Sequence, residues 1–277
     1  MKHGVTDRSP MGERWFYIVV GILMLAAVVL AYIKLFYLHP GAAPPLEPIF
    51  AENVREPYVA GMFYPAEQGN LRIMVDSYLK QADDLQLGDI KAIVVPHAGY
   101  IYSGQVAAHG FKQLESRKGT INKVFLLGSN HAQGAFFQGI SVANYTHYRT
   151  PLGKVKVAAL SADMRNEDPF TLNEKAHTAH ILEVELPFLQ RLLGDDFEIV
   201  PMVWGGGNQD TVNDAAKVIN DNLDASSVLV VSTDLSHYHP YDTAVQLDTS
   251  CIAQVENQSF AGVSQCEACG SDALLIL

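Results

Sequence analysis

Three apolar runs in this chain each stop at a histidine, and they restrict the possible fold more than any other feature. They are KAIVVPHAGY around His97, KVFLLGSNH ending at His131, and SSVLVVSTDLSHYHP, which carries Asp234, His237 and His239. Each run of Val, Leu and Ile is too short for a helix and is followed by Pro, Gly or Ser, the pattern of a buried strand that ends in a loop. In open α/β sheets, ligands and chemistry collect at the carboxyl ends of the strands. Three such ends bearing His, His, and Asp with His predict one polar pocket, and imidazole is the commonest protein ligand for metals.

Between these runs the pattern alternates. Periodicity predicts helices over 71–86, 104–117, 181–193, 211–222 and 243–258, and strands over 90–95, 123–127, 139–143, 197–203 and 227–232. That order is the signature of a single α/β domain with a largely parallel or mixed central sheet flanked by helices. No internal repeat interrupts it.

The N-terminus follows a different rule. From Phe16 to Ile33 eighteen residues carry no charge, and Trp15, Tyr17, Tyr32 and Tyr37 flank the stretch where aromatic belts sit. A stretch apolar on every face has no polar side to show water, which favours a transmembrane helix over a core helix. Lys2, Arg8 and Arg14 precede it and only Lys34 follows closely, so the positive-inside rule puts the N-terminus in the cytoplasm and the domain outside. The small residues of GAAPP leave a cleaved signal peptide as the rival, and either version exports the domain. The expected organisation is a cytoplasmic N-terminus at 1–14, a transmembrane signal anchor at 15–37, a Pro-rich linker at 38–52 and the folded domain at 53–277. The membrane is therefore an expected partner. Nucleic acid is not, because a net charge of −11 with no basic cluster offers nothing to a phosphate backbone.

The loops differ in what they offer chemistry. His97 has Pro96 before it, which favours extended backbone, and Ala98 and Gly99 after it, which let a ligand approach closely. GSNH supplies His131 with neighbouring hydrogen-bonding side chains. STDLSHYHP places Asp234, His237 and His239 within six residues, leaving general-base, orienting and direct ligand roles open. His180 and Glu183 share one face of the next helix, whose Glu183 and Glu185 either reach the pocket rim or face water. Cys266 and Cys269 form C-E-A-C, which reads as a disulfide or surface dithiol in an exported domain. If Cys269 is instead a thiolate ligand, a His, His, Cys set suits zinc, iron or copper better than magnesium or calcium.

With PHAGYIYSG, GSNH, EVELPFLQ and STDLSHY in this order, and REPYVAGMFYPA ahead of them from Arg55, the chain resembles the Memo family, whose bacterial members are called AmmeMemoRadiSam system protein B. The resemblance implies a fold similar to class III extradiol dioxygenases and a metal site built from the His of PHAG, the His of GSNH and a late Cys before Gly. Here these are His97, His131 and Cys269, with Gly270 next. It also implies that Asp234 and His237 stand beside the metal, His237 as the catalytic acid/base, and that a radical SAM system supplies a partner. The departures are Ala132 where members often carry a second His, and Ala179-His180-Ile181 where they read E-H-S. Members also continue past the position of Leu277 with a helix and further strands, so the resemblance implies an apparently truncated C-terminus, an unpaired sheet edge and a poorly supported Cys269.

The function expected is that of a membrane-anchored Memo-like metalloprotein with iron, ahead of copper or zinc, acting as a non-haem-iron redox or dioxygenase-like enzyme. The alternative is a non-enzymatic protein that binds metal or a peptide at the same site. A zinc hydrolase is a third reading, without a signature such as H-E-x-x-H.

Overall fold

The computed structural model of the chain describes residues 21–31, 34 and 52–277. Two compact units divide after Ala51. In the first, residues 21–31 are helical and exposed, and among the described residues no helix is long and apolar enough to cross a membrane. The described part of the expected anchor at 15–37 is thus too short to support it. Its remainder, the N-terminus at 1–14 and all but Glu52 of the linker lie outside the described residues.

The second unit is an α/β domain on a nine-stranded sheet. Its strands are β1 (Val54–Arg55), β2 (Ala92–Val95), β3 (Lys123–Ser129), β4 (Gly139–Val142), β5 (His147–Thr150), β6 (Gly153–Val157), β7 (Phe170–Thr171), β8 (Glu198–Gly206) and β9 (Ser227–Ser232). The main path runs β1-β5-β6-β8-β3-β9-β2, and β4 pairs with β8 and β7 off that path. The sheet is mixed: only β4 with β8 and β5 with β6 are antiparallel. The helices are α1 (Gln68–Gln81), α2 (Tyr100–Lys112), α3 (Leu160–Met164), α4 (Leu186–Leu193), α5 (Gln209–Asn222), α6 (Tyr241–Glu256), α7 (Phe260–Val263) and α8 (Ser271–Ile276).

Side chains alternate across the central strands into two cores. Val124 and Leu126 of β3 join Leu71, Phe111 and Phe188 from α1, α2 and α4, while Phe125 and Leu127 join Val212, Ala215 and Leu274 from α5 and α8. Burial on both faces explains why β3 and β9 read as unbroken apolar runs rather than alternating ones. Each such side chain contributes about 1.5–3 kcal/mol when taken fully out of water. At the end of the path β2 has a strand on one side only, and Val94 is partly open to solvent.

Three departures from expectation have local causes. The helix predicted over 181–193 is a 3-10 turn at Glu183–Glu185 followed by α4, because Pro187 lacks an N–H and fits only in a first turn. The helix expected from 104 begins at Tyr100, immediately after Gly99. The β5–β6 hairpin was not anticipated: HYRT and GKVKV are half polar and short, as befits strands near a sheet edge.

Candidate metal centre

Strands β3, β9 and β2 are parallel neighbours, so their carboxyl ends open on one side of the sheet. His131 lies two residues beyond β3, Asp234 two beyond β9 and His97 two beyond β2. The equal offsets bring together three segments far apart in sequence. Cys269 comes from the turn before α8, where its N–H donates to the Asp234 carbonyl at 3.1 Å and the Gly270 N–H donates to Thr233 Oγ1 at 2.8 Å. A Cβ on residue 270 would meet Thr233 Oγ1 at 2.6 Å, so only glycine admits this approach.

The ligand atoms of His97, His131 and Cys269 all lie within 4.8 Å of one another. His97 is buried, Cys269 half-buried and His131 exposed. Cys269 Sγ is 3.3 Å from His97 Nε2, close to the roughly 3.5 Å expected between nitrogen and sulfur around a tetrahedral ion with ordinary bond lengths. His131 Nδ1 sits 2.8 Å from the Ser129 carbonyl. A carbonyl only accepts, so that nitrogen carries the proton and Nε2 is left bare. Burial pushes the Cys269 thiol up, but its polar surroundings, including the Thr233 hydroxyl and the Asp234 N–H, outweigh it and bring the thiol below its ordinary range. Two imidazoles and an acidified thiol fit a borderline-soft transition ion.

Asp234 stands between two histidines. Its Oδ1 accepts from the His97 N–H at 2.7 Å, and its Oδ2 lies 3.9 Å from His97 Nε2 and 4.0 Å from His237 Nε2. His237 is partly exposed. His239 instead pairs with Glu267 at 2.7 Å, an exposed contact outside the His97, His131, Cys269 group.

His180, paired in the sequence with Glu183 on one helix face and given no role in the site, is a pocket residue. Its ring centroid is 5.2 Å from that of His97 and 5.5 Å from that of His131, and Phe63 covers it at 4.4 Å. Burial, with the two neighbouring histidines, lowers it to about 4, so it is a neutral imidazole near pH 7. Its sequence signals are its place in Ala179-His180-Ile181 and its spacing from Glu183. The glutamates that follow are neither rim groups nor water-facing: Glu183 and Glu185 are both fully buried.

The cysteines also pair differently from the C-x-x-C expectation. Cys251 of α6 is disulfide-bonded to Cys266, and Cys269 is free. The alternative in which Cys266 consumes the thiol of Cys269 is thereby corrected.

A family model for Memo-like protein matches residues 55–268. The chain belongs to the Memo family. It is 35% identical over 230 residues to a MEMO1 family protein of Methanopyrus kandleri, with 76% of this chain and 78% of the relative covered. Against MEMO1 family proteins of Saccharolobus islandicus and Sulfolobus acidocaldarius it is 33% identical, over 76% of this chain and 78% or 79% of theirs. The Memo match takes in His97, His131, His180, Asp234 and His237 and stops one residue before Cys269.

Proposed function

We propose that this Memo-family chain is a metalloprotein in which His97, His131 and Cys269 hold one transition-metal ion, iron ahead of copper or zinc, for dioxygenase-like redox chemistry on a small ligand. The observation that carries the reading is the convergence of those three donors within 4.8 Å. An ion bound by three protein atoms keeps open positions and, when redox-active, supplies dioxygen binding and electron transfer. Asp234 orients His97 through its main-chain N–H. His237, partly exposed and beside Asp234, moves protons to and from the ligand. His180 stays uncharged and lines the wall.

A second reading, metal binding without turnover, is favoured by the thiol, since a thiolate donor selects Cu(I). Tighter copper than iron binding with no substrate-dependent oxygen uptake would support it.

For the N-terminal segment we propose a single-pass anchor with the domain outside the cytoplasm. The uncharged stretch from Phe16 to Ile33 supports this, as does the Cys251–Cys266 disulfide, a bond that persists in oxidising compartments.

The test is metal analysis of the full chain purified without oxygen. His97→Ala and His131→Ala should each abolish near-stoichiometric metal while circular dichroism is unchanged, and metal retained in both would overturn the site. His237→Ala should keep the metal and lose turnover. Loss of metal in that variant would remove the role given to His237.

A further inference from the structure

Ser232 closes β9, and its hydroxyl touches three groups at once. Oγ lies 2.6 Å from the Ile181 carbonyl, 2.8 Å from His97 Nδ1 and 2.9 Å from Glu185 Oε1. Ser232 and Glu185 are fully buried and His97 is 1% exposed, so bulk solvent does not reach the set.

A serine hydroxyl has one hydrogen and two lone pairs. The Ile181 carbonyl can only accept. At 2.6 Å, sending the hydrogen anywhere else would set two bare oxygens against each other, so the hydrogen points to Ile181. Both other neighbours must then donate to Ser232: His97 through Nδ1–H, and Glu185 as its neutral acid.

We infer that Glu185 is a buried neutral acid which, through Ser232, fixes His97 in the Nδ1–H tautomer and so leaves Nε2 bare toward Cys269. Glu185 is a positioning residue, separated from the His97 ring by the Ser232 hydroxyl alone. The purpose given to this arrangement rests on the metal reading above, but the tautomer does not.

The surroundings of Glu185 agree. Its Oε2 is buried without a partner, and no cation pairs with the carboxyl group among the described residues. An ion so placed would carry an uncompensated charge, whereas an acid leaves only a carbonyl lone pair unmet. Burial pushes this carboxyl well above the ordinary range, and the Asp234 charge adds to the rise. The consequence for the site is direct. In the opposite tautomer the nitrogen 3.3 Å from Cys269 Sγ would bear a hydrogen and could not ligate.

The experiment is nitrogen NMR of the metal-free full chain with labelled histidine, paired with zinc affinity by chelator competition. The wild type should show His97 protonated at Nδ1 and bare at Nε2. Glu185→Leu, similar in size and without a donor, should mix the tautomers and weaken zinc about 10–100-fold. Glu185→Gln, whose amide N–H still donates, should keep the tautomer and stay within a few-fold of wild-type affinity. A wild-type Nε2–H tautomer, an unchanged Glu185→Leu, or a Gln variant as weak as the Leu variant would each overturn the inference. If the wild type bound no zinc, the metal reading would fail while the NMR tautomer would still decide this one.

Discussion

Glu183 and Glu185 stand two residues apart on one turn, both fully buried, and their surroundings differ in kind. Glu183 is saturated: it pairs with the Arg55 guanidinium and accepts from the Tyr58 N–H at 2.8 Å, the Val59 N–H at 3.0 Å and the Tyr64 hydroxyl at 2.5 Å. Arg55 spends its other donors on the carbonyls of His177 and Ala179, both at 2.9 Å. Glu185 has a single partner, Ser232, and no cation. Four donors make a buried carboxylate tolerable as an ion, and a lone contact with a hydroxyl oxygen does not. One glutamate thus fastens the segment after β1 to the pocket wall, while the other holds a proton for the site.

Removing Glu183 breaks the comparison most violently, because it leaves the Arg55 guanidinium buried and unpaired. Glu183→Ala should cost about 3–5 kcal/mol in urea denaturation. Glu185→Gln should cost about 1 kcal/mol or less, since it exchanges one neutral hydrogen-bonding group for another. Equal costs would show that the two sites are the same in kind.

Gly270→Ala should have the next largest effect. The new methyl would sit 2.6 Å from Thr233 Oγ1, so either Thr233 or Cys269 must move. The expected cost is about 1–3 kcal/mol, together with loss of the thiolate charge-transfer band in the cobalt-loaded chain. A retained band would separate Cys269 from the close packing of Gly270.

Taken per unit of pH, the effect on pH dependence is the smallest. His177 is enclosed by the Tyr148 hydroxyl at 2.6 Å and Ser141 Oγ at 3.1 Å, and burial with the Arg55 charge lowers it from 6.5 to about 3. Below pH 6.5 the unfolded chain takes up a proton that the folded chain refuses. Stability is therefore intact above that value and falls as pH drops toward 3, by up to about 1.4 kcal/mol per unit for a single histidine. Glu185 acts in the opposite sense. Its raised folded value contributes stability at low pH that is lost as pH rises, so Glu185→Gln should flatten the alkaline limb of a denaturation profile and leave the acid limb unchanged.

The strands that build the site were legible because β2, β3 and β9 are buried on both faces and end in His, His and Asp loops. The β5–β6 hairpin was not, since its short half-polar strands give no apolar run. His97, His131 and Cys269 were recognisable from their motifs, and the structure brings them together. The inner shell was hidden for a physical reason. E-V-E reads as solvent-facing charge unless one already knows that Arg55 and Ser232 wait beneath it, and both partners lie far away in sequence. The Cys251–Cys266 disulfide is hidden in the sequence for a similar reason. C-E-A-C offers a local pairing, whereas Cys251 reaches Cys266 only once α6 has folded back.

The most direct test of the central claim is X-ray absorption on the zinc-loaded full chain. One sulfur scatterer at about 2.3 Å is expected with nitrogen at about 2.0–2.1 Å, and the sulfur should be lost in Cys269→Ser. A shell of nitrogen and oxygen alone in the wild type would contradict it.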